Sequence, residues 1–351
     1  WLEDFINKLN IPIIFISHDE TLLENTATGI IHFEQIKKKT ESLYTIERIT
    51  YSEYIEKRFN LLQKQEMVAK KQKSNYQKQM EKFRQIYQKV EHEQKVISRA
   101  DPAGARLLKK KIKTLKSQEK RFEKDKENFL EIPDVEEAIN LMFENDILIP
   151  NNKMILDLDI SKLKIDNKLL ASNIKLNISG PKHLVIIGKN GIGKTTLFKE
   201  IHKLLKYRND INLGYMPQNY EDSLPLNELV INYLTPAASK EELTKSRTLL
   251  GSMKFTNEEA SGLIKELSGG QKAKLLLIKL IIDKCNVLLL DEPTRNLSPL
   301  SNPVIRNILK NFKGTIISIS HDRKYINEVC DVIYELTEYG LSEKNNLEIK
   351  I

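Results

Sequence analysis

The sequence predicts an α/β domain built on a parallel sheet, preceded by a long antiparallel α-helical hairpin and, before that, by the tail of another α/β domain. Three observations carry this. From about residue 151 onward, short apolar runs alternate with helical stretches, the pattern of a wound parallel sheet. From Tyr51 the composition shifts to Lys, Gln and Glu with apolar residues seven apart, the spacing of packed helices. The phrase Ile13-Ile14-Phe15-Ile16-Ser17-His18-Asp19 returns as Ile316-Ile317-Ser318-Ile319-Ser320-His321-Asp322 at an offset of 303, which marks an internal repeat. The expected divisions are 1–50, 51–150 and 151–351.

In chain order, Ile11 to Ile16 reads as a buried strand ending in the polar turn Ser17-His18-Asp19-Glu20. Residues 1 to about 36 read as the tail of one domain and residues 153 to 351 as a complete second copy; since the chain opens at Trp1, the front of the first copy is expected to be missing. Leu62, Ala69, Tyr76, Phe83, Val90 and Ile97, then Leu108, Leu115, Phe122 and Phe129, form two heptad series. Between them Ser98-Arg99-Ala100-Asp101-Pro102-Ala103-Gly104-Ala105-Arg106 supplies a Pro and a Gly to break the first helix. The hairpin tip is therefore expected near 98–106, and Pro133 is expected to end the return helix.

Beyond it, strands are expected near Met154 to Ile165, Leu184 to Ile187, Leu213 to Met216, Val287 to Leu290, Thr315 to Ile319 and Val332 to Leu336. Helices are expected over Thr196 to Leu205, Gln271 to Asp283 and Ser301 to Asn311. The tail after Tyr339 carries no pattern.

No apolar run approaches the ~20 residues of a membrane span, so no membrane partner is expected. Cys285 and Cys330 stand in apolar surroundings without metal-ligand spacing. They read as reduced core thiols, and the compartment as cytoplasmic. The formal charge of +8 is unevenly spread: Lys57 to Asn128 holds about 22 Lys/Arg against about 9 Asp/Glu. One segment thus owns the basic excess.

The chemistry begins at Gly188-Lys189-Asn190-Gly191-Ile192-Gly193-Lys194-Thr195, between an apolar strand and a helix opening at Thr196. Glycines here let backbone N–H groups turn toward one point, joined by the positive end of the helix. Lys194 is placed to reach the β- and γ-phosphates of ATP and Thr195 to ligate Mg²⁺. Val287-Leu288-Leu289-Leu290-Asp291-Glu292 delivers two carboxylates at a strand end. Asp291 is the expected Mg²⁺ partner and Glu292 the group that polarises an attacking water. Leu267-Ser268-Gly269-Gly270-Gln271 opens a helix and offers a second anion site. A simple cap would explain Ser268 but not Gly-Gly-Gln.

This signature, lying between glycine loop and Asp-Glu strand end, resembles that of the ATP-binding cassette (ABC) ATPases. The resemblance implies that Gln218, in Tyr215-Met216-Pro217-Gln218, is the Q-loop glutamine beside the metal and that His321 contacts the γ-phosphate. It also implies a sandwich in which ATP lies between the loop of one cassette and the signature of another. The missing first ABC domain is then an expected partner, and the chain alone should turn over ATP poorly. A basic helical hairpin between two cassette copies looks like the ABC-F family of translation factors, which bind the ribosome at its exit site. The implied contacts are 23S rRNA and tRNA in the exit or peptidyl site. Asp291-Glu292-Pro293-Thr294-Arg295-Asn296-Leu297-Ser298 resembles the antibiotic-resistance, ribosome-protection branch, with Ser298 replacing the usual D-loop aspartate. So does the tip from Ile97-Ser98-Arg99 with Leu107-Leu108-Lys109-Lys110-Lys111 after it. Near Ile165, where many cassettes stack adenine, there is no aromatic residue. Housekeeping translation factor and protein-interaction module are the alternative readings.

Overall fold

The structure, a computed structural model, describes residues 2–17, 19–36, 41–96, 102–127, 143, 149–165, 168–237 and 239–344. The chain divides into two compact units, one of residues 1–38, 42–51 and 135–351, the other of residues 39–41 and 52–134. The elements, in order, are α1 (Leu2–Lys8), α2 (Glu20–Thr26), β1 (Ile30–Ile36), β2 (Glu41–Glu47), α3 (Tyr51–Val96), α4 (Pro102–Glu127), β3 (Met154–Ile165), β4 (Lys168–Ser179), β5 (His183–Ile187), α5 (Lys194–Lys206), β6 (Leu213–Met216), α6 (Val230–Leu234), α7 (Lys240–Ser252), α8 (Asn257–Ser261), α9 (Gly269–Ile282), β7 (Val287–Asp291), α10 (Asn302–Lys310), β8 (Thr315–Ile319), α11 (Arg323–Val329), β9 (Val332–Thr337) and β10 (Gly340–Lys344).

The main sheet runs β10-β9-β5-β8-β7-β6. Its strands pair in parallel except at the β9–β10 edge, which is antiparallel. The all-parallel expectation is corrected there: the tail after Tyr339, patternless in sequence, supplies a short return strand. β3 and β4 form a separate antiparallel pair. β5, β7 and β8 are covered on both faces, which is why they read as unbroken apolar runs. Val185, Leu288, Leu290 and Ile316 pack with α9, α10 and α11. Leu184, Ile186, Leu289 and Ile317 point the other way, toward α5 and the β3–β4 pair. Cys285 and Cys330 are buried free thiols, and desolvation pushes both up to about 12.

The N-terminal segment corrects one expectation. Ile11 to Ile16 forms no strand, and Ile14 and Ile16 are 86% and 96% exposed. The matching strand β8 is buried throughout because β5 and β7 flank it; among the described residues no strand pairs with Ile11 to Ile16. The turn that follows does repeat. Asp19 accepts from Thr21 and Leu22 N–H and caps α2, as Asp322 accepts from Lys324 and Tyr325 N–H and caps α11. Each Asp N–H donates to the serine two residues before it, Ser17 or Ser320. His18 lies outside the described residues.

In the other unit, Phe83, Val90 and Leu115 are buried together with Met80, Tyr87, Leu108, Ile112 and Phe122 against them. Phe83 and Phe122 meet edge to face at 6.4 Å. Phe83 stands 13 residues before the end of α3 and Phe122 20 residues after the start of α4, so the two helices run back along each other. Ala69, Phe83, Val90 and Leu115 of the heptads are buried, whereas Ile97, Phe129 and Pro133 lie outside the described residues. Of the expected tip, Ser98, Arg99, Ala100 and Asp101 also lie outside them; Pro102, Ala103, Gly104, Ala105 and Arg106 belong to the first turns of α4. Pro102 opens that helix, where its missing N–H costs nothing. Val90 is 2% exposed, and Val90→Ala removes two buried methyl groups at about 0.8 kcal/mol each. We expect a loss of about 1.5–2 kcal/mol in denaturant unfolding followed by circular dichroism, and no measurable loss for the exposed Lys89→Ala.

Candidate nucleotide site

Because β5, β8, β7 and β6 are parallel neighbours, their C-terminal ends lie along one edge of the sheet, where such folds hold ligands. From β5 comes the glycine loop; from β8, His321; from β7, Asp291 and Glu292; from β6, Gln218. One cavity of about 290 Å³ gathers them, lined by Asn190, Gly191, Gly193, Lys194, Thr195, Thr196, Gln218, Asp291, Glu292 and His321, with Ile165, Leu170 and Ile319 on its apolar side. Gly193 sits at φ +106°, and a Cβ there would lie 2.9 Å from Leu170 Cδ1. Only glycine lets the loop turn into α5 against the β3–β4 pair. Gly188 contributes its carbonyl, which accepts from Lys194 Nζ at 2.7 Å; the Lys189 carbonyl accepts at 3.0 Å. Burial pushes the Lys194 ammonium below the usual lysine range, against the pull of Glu292 and Asp291.

Asp291 is 1% exposed, and neither carboxylate oxygen has a hydrogen-bond partner. Burial raises its pKa, opposed by the neighbouring Thr195 hydroxyl and Lys194. A buried, unpartnered carboxylate beside a hydroxyl and an ammonium is a costly arrangement unless a cation or its water shell joins it. The residues thus fit a hydrated Mg²⁺ at Thr195, Asp291 and Gln218. Glu292 occupies left-handed backbone at φ 56°, a conformation that stores of order 1–3 kcal/mol and aims the side chain into the cavity. Burial lifts its carboxyl to about 7, moderated by the His321 backbone N–H. His321 donates that N–H to Glu292 Oε2 at 3.4 Å and holds Nε2 3.8 Å from Oε1. Burial and Lys194 lower the His321 pKa and so favour the neutral ring.

The structure does not bring the signature to this cavity: Ser268, Gly269, Gly270 and Gln271 are absent from its lining. They form a full capping box, Ser268 Oγ accepting from Gln271 N–H and Gln271 Oε1 from Ser268 N–H. A Cβ on Gly270 would meet the Asn296 carbonyl at 2.8 Å. Capping and close approach therefore account for Gly270 and Gln271 as well as for Ser268, a correction to the sequence reading. Ser298 has a local role too: its Oγ accepts from Ser301 N–H at 3.2 Å and turns the chain into α10.

Sequence reasoning missed two residues. Leu170 walls the cavity beside Ile165, a role hidden until β4 is recognised as a strand. Lys272 pairs with Glu221 at 2.6 Å, linking the signature helix to the segment after Gln218. Only its place one residue beyond the signature hinted at it.

Fold and site together resemble those of ATP-binding cassettes, from which an ATPase activity is expected. Residues 171–295 match the family model described as ABC transporter. Nearly the whole chain is similar to proteins described as ABC transporter F family members or as ATP-binding proteins. It is 29% identical to "ABC transporter F family member 2" of Arabidopsis thaliana over 98% of this chain and 48% of that protein. It is 27% identical to "Probable ATP-binding protein YheS" of Haemophilus influenzae over 99% of this chain and 52% of that protein. It is 26% identical to "Putative ATP-binding protein YdiF" of Bacillus subtilis over 98% and 50%. The chain thus spans about half the length of the curated relatives it matches. No helix among the described residues is long and apolar enough to cross a membrane.

Proposed function

We propose that this chain is an ATP-driven, ribosome-binding protein of the ABC-F kind, in which nucleotide state at the cassette governs how the basic helix pair engages ribosomal RNA. The observation that carries this is the coexistence of the cavity lined by Lys194, Thr195, Gln218, Asp291, Glu292 and His321 with a basic α3–α4 stretch, about 22 Lys/Arg against about 9 Asp/Glu between Lys57 and Asn128. Lys194 and the loop N–H groups hold the phosphates, and Glu292 accepts the proton of an attacking water while His321 holds its carboxylate. Bound Mg²⁺ would neutralise charge between the phosphates. The signature at Ser268 to Gln271 closes on the nucleotide of another cassette, the reading supported by its absence from this cavity and by the repeated Ser-His-Asp turn.

Ribosome binding through the basic coil is expected to be steeply salt-dependent, because each phosphate neutralised releases counterions. Co-sedimentation with ribosomes in the presence of ATP should fall at least tenfold between 50 and 200 mM salt. Binding that ignores salt and survives RNase favours a protein partner instead. The finer reading, protection of the large subunit from lincosamide-, pleuromutilin- and streptogramin A-type drugs by a tip at 98–106 directed toward the peptidyl-transferase centre, rests on Arg295 to Ser298 and the tip sequence. A housekeeping role on stalled or initiating ribosomes is supported equally by the nucleotide site and the basic coil. Drug susceptibility of cells expressing the gene separates the two.

A further inference from the structure

The ionic contacts between the N-terminal segment and the cassette obey a symmetry that the sequence repeat makes visible. At the 303-residue offset, Glu3 matches Arg306, Glu20 matches Arg323 and Asn25 matches Glu328. Across the contact, Arg306 Nη1 and Nη2 donate to Glu20 Oε1 and Oε2 at 2.7 and 3.2 Å, and Arg323 Nη1 donates to Glu3 Oε1 at 2.9 Å. Position 306 meets the counterpart of 323, and 323 meets the counterpart of 306. That reciprocity is the hallmark of an isologous, two-fold contact. Each half is braced in the same manner: Glu328 accepts from Arg306 Nε at 2.9 Å, and Asn25 donates to Glu3 Oε2 at 2.9 Å. The charges, however, are inverted. One half carries acids at both positions and the other arginines, reinforced by Lys324, which pairs with Glu24 at 2.6 Å and Glu20 at 3.3 Å.

We propose that the α10–α11 face of the cassette is a selective docking surface whose occupant is the acidic α1–α2 pair of this same chain, and that charge inversion at matched positions makes unlike halves pair while excluding like halves. Two copies of the α10–α11 face brought together in this geometry would set Arg306 against Arg323 twice over, with Lys324 beside them. Such a pairing is built to be refused, because like charges placed opposite one another reject the wrong partner. The Arg306–Glu20 pair gives the rule its force. Its side chains are 3% and 5% exposed, and its two-pronged geometry suits arginine and not lysine. A charge so buried must meet its opposite or leave an uncompensated ion in the contact. The inference does not depend on the nucleotide or on ribosomes.

The test uses the full chain and hydrogen exchange of the α2 amides. Glu3→Arg with Glu20→Arg should speed that exchange at least tenfold while leaving β5, β7 and β8 protected, since both changes sit on the docked segment and spare the cassette core. Adding Arg306→Glu and Arg323→Glu, which restores opposite charges with the halves exchanged, should return the exchange to within about threefold of the parent. A double variant that exchanges at the parent's rate overturns the proposal. So does a fourfold variant that stays as open as the double while its β5, β7 and β8 amides remain protected. If Arg306→Glu exposes those core amides, the single exchange Glu3→Arg with Arg323→Glu, on the half-exposed pair, carries the same comparison.

Discussion

Glu292→Gln is expected to leave ATP binding within about threefold of the parent while slowing hydrolysis by two to four orders of magnitude, the usual contribution of a positioned general base. The side chain keeps its volume and its place on the left-handed backbone at φ 56°, so the cavity is preserved. What it loses is the capacity to take a proton, which a buried carboxyl lifted to about 7 is well matched to perform near neutrality. The contact with His321 is kept, since the amide oxygen can still accept its backbone N–H. Single-turnover phosphate release over hours is the measurement, since the signature at Ser268 to Gln271 lies outside the lining of the chain's own cavity. Equal rates in the two proteins would remove Glu292 from the chemistry and shift attention to His321.

Lys194→Ala should weaken ATP binding about 100-fold. Its Nζ now donates to the Gly188 and Lys189 carbonyls, a loop-bracing position from which it turns to the phosphates. Hydrogen bonds from a charged donor contribute about 1.5–3 kcal/mol each, and the loss of two such bonds corresponds to at least a factor of 100. Titration with a fluorescent ATP analogue measures it. A thermal melt of the nucleotide-free variant is the control, because removing the brace loosens the loop. Affinity within threefold of the parent would mean that the backbone N–H groups alone hold the phosphates.

Much of the site was legible because the motifs ride on parallel strands. Gly188 to Thr195, Gln218, Asp291, Glu292 and His321 are far apart in sequence, but each follows an apolar run, and neighbouring parallel strands deliver their ends to one edge. β4 was not legible. Leu169-Leu170-Ala171 blurs its alternation, and the pairing with β3 shifts register between Leu163 and Lys164. The stretch Ile11 to Ile16 failed for a different reason: its isoleucines at 13, 14 and 16 match those of β8 at 316, 317 and 319, but burial requires neighbouring strands, which no local pattern reports. Gln271 shows that one residue can serve twice: assigned to ligand chemistry in the sequence, it also completes its own helix cap. Arg306 and Arg323 became meaningful only when aligned with Glu3 and Glu20 across the repeat.

The length of α3 has a mechanical consequence. Its 46 residues make a rod of about 69 Å at 1.5 Å per residue. For such a lever, a tilt of only 5° at the Tyr51 end sweeps the Val96 end through about 6 Å, wider than the spacing of stacked bases. The amplitude scales with the rod, so trimming whole heptads from both helices in register shortens the stroke in proportion while leaving the nucleotide cavity untouched.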